Sequence, residues 1–183
     1  MRKTLSTIAI TIAATLLATS ANAQTTTVTS KGGGGSPHVT SVWSVGGANI
    51  SIAYGRPSLK GRSETTMMPA GAPWRTGADE ATVITTDKPL TFGTVTLAPG
   101  SYTINTQPDA KEWHLLLGKL GAPKQWGIPY KPELELGRTS MKLGKTAAPV
   151  EMVTYSIDKG DKGATLRIEW GTASVTAPFV IGS

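Results

Sequence analysis

Residues 165–181, TLRIEWGTASVTAPFVI, show most clearly how this chain folds. Apolar and polar side chains alternate over residues 165–170, and the same two-residue period returns over residues 175–181. A period of two places successive side chains on opposite faces of a strand, so that one face is apolar and the other is polar. The stretch therefore predicts β-strands that cover a hydrophobic core with one face.

The rest of the chain beyond residue 37 follows the same pattern. Further strand candidates are residues 49–54, 101–105, 113–117 and 150–157. Turn-forming residues separate these runs: in Pro99-Gly100, proline presets the first central position of a type II turn and glycine tolerates the positive φ of the second. No long apolar stripe has the helical period of 3.6 residues. The sequence therefore predicts an all-β fold, a single antiparallel β-sandwich of jelly-roll-like or barrel-like form.

Residues 1–23 have the layout of a secretory signal peptide. Arg2 and Lys3 precede an uncharged, mostly apolar stretch, and Ala21-Asn22-Ala23 offers small residues to a signal peptidase. The apolar stretch is shorter than the about 20 residues that span a bilayer. Since the chain contains no cysteine that could carry a lipid, we expect a soluble mature chain without a membrane anchor. Its expected location is the bacterial periplasm or the secreted fraction.

Composition narrows the domain organisation and the partners. Residues 24–36 are rich in Thr, Ser and Gly and are expected to form a flexible tether, which leaves residues 37–183 as one β domain. The formal net charge is +6, but the basic residues are dispersed and no nucleic-acid-binding motif accompanies them, so nucleic acid is not expected as a partner. With no cysteine and two histidines, neither a metal site nor a cofactor is expected.

Residues 55–80 interrupt the strand pattern and concentrate charged side chains. Loops longer than about 12–15 residues without secondary structure are uncommon in compact domains and are often functional. Guanidinium groups can grip a carboxylate, phosphate or sulfate through two hydrogen bonds, and an indole offers a stacking face to a sugar ring. The candidate ligand-binding residues of this loop are Arg56, Lys60, Arg62, Trp74 and Arg75.

Two segments at this loop carry the most specific pattern in the chain. They are Tyr54-Gly55-Arg56-Pro57-Ser58-Leu59-Lys60-Gly61-Arg62 and Trp74-Arg75-Thr76-Gly77-Ala78-Asp79-Glu80-Ala81-Thr82. Ser36-Pro37-His38, Leu97-Ala98-Pro99-Gly100-Ser101-Tyr102 and Trp126-Gly127 complete the pattern. Together these segments resemble an exported bacterial family known as domain of unknown function 2911, over about residues 36–181. The resemblance implies export and assigns no activity.

Three functions are open from the sequence. The first is a binding module whose loop holds an anionic or sugar-like ligand or an envelope protein. The second is a hydrolase-like enzyme in which Glu80 or Asp79 works with His38 as acid and base while Arg75 stabilises an anion. The third is a structural envelope protein without a ligand, in which Arg75 pairs with Asp79 or Glu80 and fixes the loop to the sheet.

Overall fold

The computed structural model describes residues 24–68 and 70–183. The predicted signal peptide, residues 1–23, lies outside the described residues and stays a prediction. The strands, in chain order, are β1 (Thr25–Lys31), β2 (Pro37–Val45), β3 (Ala48–Gly55), β4 (Thr82–Thr86), β5 (Leu90–Phe92), β6 (Val95–Leu97), β7 (Gly100–Gln107), β8 (Trp113–Lys119), β9 (Glu135–Gly160) and β10 (Gly163–Ile181). A short helix, α1 (Glu64–Met67), and a 3-10 turn (Pro132–Leu134) accompany them. Neither helix of the described part has the length and hydropathy of a membrane span.

All neighbouring strands are antiparallel, in the order β1-β2-β3-β4-β7-β8-β9-β10-β5-β6. The predicted all-β, antiparallel fold is confirmed. The start of β9 pairs with β8, whereas its end pairs with the start of β10, and the last residues of β10 reach β5. Register shifts on either side of Gly171 bend β10, because a bulge kinks and twists its strand. The long β9–β10 hairpin thus makes the open sheet sandwich-like.

The core lies between the apolar faces of these strands. In β3, Ile50 and Ile52 are fully buried while Asn49 and Ser51 face outwards, as the two-residue period predicts. Three tryptophans on the strands are buried as well: Trp43, Trp113 and Trp170. Burying a large apolar side chain contributes about 1.5–3 kcal/mol. The strand pattern therefore accounts for most of the core.

Strand β1 corrects the expected tether at residues 24–36. Thr25 lies opposite Val42 and Lys31 opposite Pro37, so this segment pairs along most of β2. Every side chain of β1 is exposed, so backbone hydrogen bonds rather than burial hold the strand. The tether prediction is wrong for β1 because a composition typical of linkers does not prevent a segment from pairing with a sheet edge. The tight turn at residues 32–35 joins β1 to β2, with the Gly35 N–H donating to the Gly32 carbonyl.

The loop at residues 55–80 is tied to two strands. Ser58 forms an isolated antiparallel bridge with Met152 of β9, and Trp74 forms one with Thr106 of β7. Within the loop, the side chain of Ser63 accepts a hydrogen bond from the Thr66 N–H and caps α1. These contacts give the loop a defined path across the sheet, and they bring its last residues back to the start of β4.

Candidate functional site

The turn before β4 contains two residues with a left-handed backbone. Thr76 has φ 53° and Asp79 has φ 62°. Such conformations cost on the order of 1–3 kcal/mol for a residue other than glycine and persist only where the surroundings impose them. They are common at functional sites. The turn therefore marks the part of the loop in which the chain accepts strain.

A buried hydroxyl network holds Thr76 in this conformation. The Thr76 and Thr106 hydroxyls share a hydrogen bond of 2.9 Å. The Thr76 carbonyl accepts hydrogen bonds from the Tyr155 hydroxyl at 2.9 Å and the Thr82 hydroxyl at 3.3 Å. Burial raises the pKa of Tyr155 well above its ordinary value, so this hydroxyl stays protonated and remains a donor. The network fixes the start of the turn from the side of the core.

Two glycines allow the turn to approach the sheet closely. A Cβ atom at Gly55 would lie 2.4 Å from the backbone oxygen of Ala78, and a Cβ atom at Gly77 would lie 2.7 Å from the Thr82 hydroxyl. Both distances are shorter than van der Waals contact. The two specific sequence segments thus pack against each other, one at the end of β3 and the other before β4.

The substitution Gly55→Ala is expected to lower the free energy of unfolding by about 1–3 kcal/mol, because the new methyl group would overlap a backbone atom that cannot rotate away. Urea denaturation monitored by tryptophan fluorescence measures the change. Gly33→Ala is the matched control, since a Cβ atom at Gly33 meets nothing within 4 Å. Equal stability of the two variants would contradict the close approach of Gly55 and Ala78.

The turn places two carboxylates on either side of one imidazole. His38, near the start of β2, donates from Nε2 to Oδ2 of Asp79 over 2.9 Å. Its Nδ1 lies 3.2 Å from Oε2 of Glu80. The side chains of His38 and Asp79 are each 14% exposed, and that of Glu80 is 37% exposed. The structure therefore assembles the three residues that the sequence analysis names as candidate acid–base residues.

The two contacts of His38 differ in quality. The contact with Asp79 is a well-formed hydrogen bond, whereas Oε2 of Glu80 is buried without a hydrogen-bond partner among the described residues. The contact with Glu80 is thus a close approach of the imidazole and the carboxylate without a well-formed hydrogen bond. A Cβ atom at Gly32 would lie 1.9 Å from Oδ2 of Asp79. The β1–β2 turn therefore covers the pair formed by His38 and Asp79, and Glu80 is the most exposed member of the cluster.

The cluster suits proton transfer better than metal binding. The carboxylates of Asp79 and Glu80 face different ring nitrogens of His38, so they do not converge on one point. Within residues 24–68 and 70–183, no group of three or more His, Asp or Glu side chains has the geometry of a metal site. Asp79 accepts a hydrogen bond from His38, and the more exposed Glu80 lies at the other ring nitrogen, so the cluster joins groups that can each carry a proton.

Two of the predicted ligand-binding residues, Arg56 and Arg62, donate hydrogen bonds to other parts of the protein. Arg56 donates to the Val153 carbonyl and the Thr154 hydroxyl, each over 2.9 Å. Arg62 donates to the carbonyls of Leu59 at 2.9 Å and Ser58 at 2.6 Å.

Lys60 and Trp74 also hold the loop in place. The backbone N–H of Lys60 donates to Glu151 over 2.8 Å. The indole of Trp74 stacks on Trp170 with the ring centroids 5.4 Å apart and the planes 10° from parallel. Arg56, Arg62 and Trp74 thus make side-chain contacts within the protein, and Lys60 makes one through its backbone N–H.

Arg75 is the member of this set that lies beside the acid–base cluster. Its Nε donates to the Gly77 carbonyl over 3.2 Å, and its Cδ lies 2.6 Å from the position of a Cβ atom at Gly127. The ion pairs formed within the described residues do not include Arg75, so the predicted pairing with Asp79 or Glu80 is not formed. A guanidinium group has five N–H donors, and among the described residues the side-chain hydrogen bond of Arg75 is made by Nε alone.

Sequence reasoning left Trp126 unassigned, and the structure places it next to Glu80. The two residues form an isolated antiparallel bridge. The flanking hydrogen bonds run from Ala81 N–H to Gln125 at 2.8 Å and from Gly127 N–H to Asp79 at 3.0 Å. This pattern defines a non-hydrogen-bonded pair, whose two side chains lie on one face and closer together than in the alternative pair. Trp126 is 52% exposed, so its indole is accessible beside the Glu80 carboxylate.

Comparison with known proteins supports the family resemblance. A family model described as a protein of unknown function, DUF2911, matches residues 36–179. No curated protein and no solved structure is similar enough to match the chain. The matched region includes His38, the whole turn before β4 and Trp126. The chain therefore belongs to the DUF2911 family.

Proposed function

We propose that the chain is an exported binding module whose ligand is a sugar acid, a ligand both anionic and sugar-like. The observation that carries the proposal is the exposed indole of Trp126 paired with Glu80, the carboxylate that His38 faces. The stacking residue of the proposed site is thus Trp126, since Trp74 is stacked on Trp170. Export rests on the layout of residues 1–23, and N-terminal sequencing of the periplasmic or secreted protein should begin at Gln24.

The side chains of Trp126, Glu80 and Arg75 offer three different contacts to a sugar acid. The face of the Trp126 indole suits the apolar C–H face of a sugar ring. The Glu80 carboxylate can accept hydrogen bonds from ring hydroxyls, and charged acceptors form the stronger hydrogen bonds. The unused donors of Arg75 can bind the ligand carboxylate bidentately. His38, which Asp79 holds, lies 3.2 Å from one carboxylate oxygen of Glu80.

The test is a titration with trigalacturonate, followed through the backbone amide signal of Gly127 by NMR, a probe that is present in every variant. We expect Trp126→Ala to weaken binding by at least about tenfold, the equivalent of about 1.4 kcal/mol. Ile128→Ala is the matched control, because Ile128 is 55% exposed in the same loop but is not paired with Glu80. Absence of saturable binding, or equal loss in both variants, would contradict the proposed site.

The substitution Arg75→Met tests whether this arginine binds the carboxylate of the ligand. This variant should lose the preference for trigalacturonate over the neutral trisaccharide maltotriose while its affinity for maltotriose is unchanged. The variant should also remain folded, because Arg75 contributes one hydrogen bond to the backbone and such a bond contributes about 0.5–1.5 kcal/mol. A preference for the acidic sugar that survives in Arg75→Met would exclude this arginine as the anion contact.

A second candidate function, hydrolase-like acid–base chemistry, is favoured by the carboxylates on both nitrogens of His38. In this function Asp79 holds the imidazole, His38 exchanges a proton with Glu80, and Glu80 serves as the acid or base towards the ligand. The test compares the wild type and Glu80→Gln for hydrolysis of 4-nitrophenyl β-D-glucuronide. A turnover that is about 10²–10⁴-fold lower in Glu80→Gln, with binding retained, supports the enzyme. Absence of hydrolysis by the wild type contradicts the enzyme and favours the binding module.

A further inference from the structure

Strand β1 lies at one end of the sheet, and its outer edge has no strand partner within the described residues. At the opposite end, β6 has three residues, and a Cβ atom at Gly137 of β9 would lie 2.8 Å from Cγ2 of Val95 in β6. β1 has seven residues. An edge strand presents unpaired N–H and C=O groups to another chain. Of the two ends of the sheet, the one at β1 is therefore the longer and more open template for a further strand.

The pairing of β2 determines which backbone groups of β1 point to this edge. The Arg56 N–H, just after β3, donates to the Pro37 carbonyl of β2. Because the direction of hydrogen bonding alternates along an antiparallel strand, odd-numbered residues of β2 bond to β3 and even-numbered ones bond to β1. Thr27 pairs with an even-numbered residue and so bonds to β2. The N–H and C=O groups of its neighbours, Thr26 and Val28, therefore point to the free edge.

The side chains of β1 leave room for a partner strand. All seven are exposed, so neither face of the strand is covered. Val28 is 68% exposed, the largest fraction among the exposed large apolar side chains of the described residues. Proteins usually protect edge strands with charges, proline or a bulge. Residues 25–28 contain neither charge nor proline, the bulge of β1 comes after Val28, and Lys31 lies at the end of the strand.

The sequence of β1 is complementary to itself when two copies run antiparallel. With Thr27 opposite Thr27 of the second copy, Thr26 of each copy lies opposite Val28 of the other. These are the residues whose backbone groups face the edge, so they can exchange hydrogen bonds at two symmetric positions. Threonines directly opposite each other are favourable cross-strand neighbours. Lys31 lies beyond the paired stretch, so like charges do not meet there.

We propose that two copies of this chain associate through their β1 strands, paired antiparallel about a two-fold axis at Thr27. The two ten-stranded sheets then form one continuous sheet. Because the contact is a strand edge rather than a large packed face, it belongs to the small and weak class of interfaces. We expect a reversible dimer with a dissociation constant of about 1–100 μM. The pairing uses neither Trp126 nor Glu80, so it is independent of the proposed sugar-acid site.

The first test is sedimentation equilibrium of the protein purified from the periplasmic or secreted fraction, over concentrations that span this range. Thr27→Lys should weaken association by at least about tenfold, because it places two ammonium groups directly opposite each other. Thr96→Lys is the matched control, at an exposed threonine of the opposite edge strand, β6. An equimolar mixture of Thr27→Lys and Thr27→Glu should associate again. Both lysine variants should remain folded, since the two positions are exposed.

A cysteine variant tests the position of the two-fold axis. The chain has no cysteine, so Thr27→Cys introduces one thiol per copy. Opposed residues of a non-hydrogen-bonded pair have Cα atoms about 4.5 Å apart, a separation that a disulfide can bridge. Mild oxidation should therefore yield a covalent dimer of Thr27→Cys and little of Thr96→Cys. The proposal is overturned by a monomer at every concentration, by association that Thr27→Lys leaves unchanged or the mixture does not restore, or by equal cross-linking of the two cysteine variants.

Discussion

Replacing Trp170 with alanine is expected to lower the free energy of unfolding by about 3–5 kcal/mol. The side chain is 2% exposed, and its indole stacks on Trp74. Its indole N–H donates to the Glu151 carbonyl over 2.9 Å. The substitution therefore opens a large cavity, removes an aromatic pair and removes one of the two hydrogen bonds that the Glu151 carbonyl accepts. Urea denaturation followed by circular dichroism measures the loss.

The matched control makes the same substitution at an exposed tryptophan. Trp126→Ala should change the free energy of unfolding by about 0.5 kcal/mol or less, because that indole is 52% exposed. A similar loss in both variants would mean that Trp126 is part of the packed interior, and it would contradict the ligand site proposed there. The comparison thus tests the fold and the site at once.

The strand pattern made most of the fold predictable. In β10, Leu166, Ile168 and Trp170 are buried while Arg167 and Glu169 are partly exposed, as the two-residue period indicates. The pattern failed at β1, where every side chain is exposed and no apolar face exists to produce a period. Pairing of an exposed strand depends on a free neighbouring edge, and this information is not local in the sequence.

Residue chemistry was enough to name His38, Asp79 and Glu80 as a group, whereas the contacts of the arginines could not be predicted. His38, Asp79 and Glu80 are titratable residues of types that work together, and the structure brings them into contact. Arg56 instead binds the Val153 carbonyl, which lies 97 positions further along the chain. Whether a guanidinium group meets a ligand or a carbonyl depends on which strand passes beside it. Local composition cannot supply that information.

The surroundings of Trp126 could not be predicted from the local sequence either. Its partner, Glu80, is reached through one isolated bridge rather than through a strand, so no two-residue period marks the segment. The local signal is a tryptophan flanked by Gly127 and Pro129, which is equally compatible with a packed turn and an exposed platform. The pairing across the bridge decides between the two, because it leaves the indole exposed beside a carboxylate.

The substitution His38→Ala is expected to lower the free energy of unfolding by about 1–3 kcal/mol, since it leaves the mostly buried Asp79 carboxylate without its hydrogen-bond donor. Asp79→Asn is the partner substitution, because asparagine tolerates the left-handed backbone of this position. A thermodynamic cycle of the two single variants and the double variant measures the coupling between the side chains. We expect a coupling energy of about 1 kcal/mol or more, measured by urea denaturation.

The same cycle with Glu80→Gln in place of Asp79→Asn should give a smaller coupling energy. Glu80 is more exposed than Asp79, and its contact with His38 is longer and not aligned as a hydrogen bond. A large coupling to Asp79 with a small coupling to Glu80 would mean that the fold uses the first carboxylate to hold the imidazole and leaves the second one free to meet a ligand. Equal coupling to both carboxylates would instead mean that His38 stabilises the turn against β2 through Asp79 and Glu80 alike. The cluster would then serve the fold, and the ligand contacts would be left to Trp126 and Arg75.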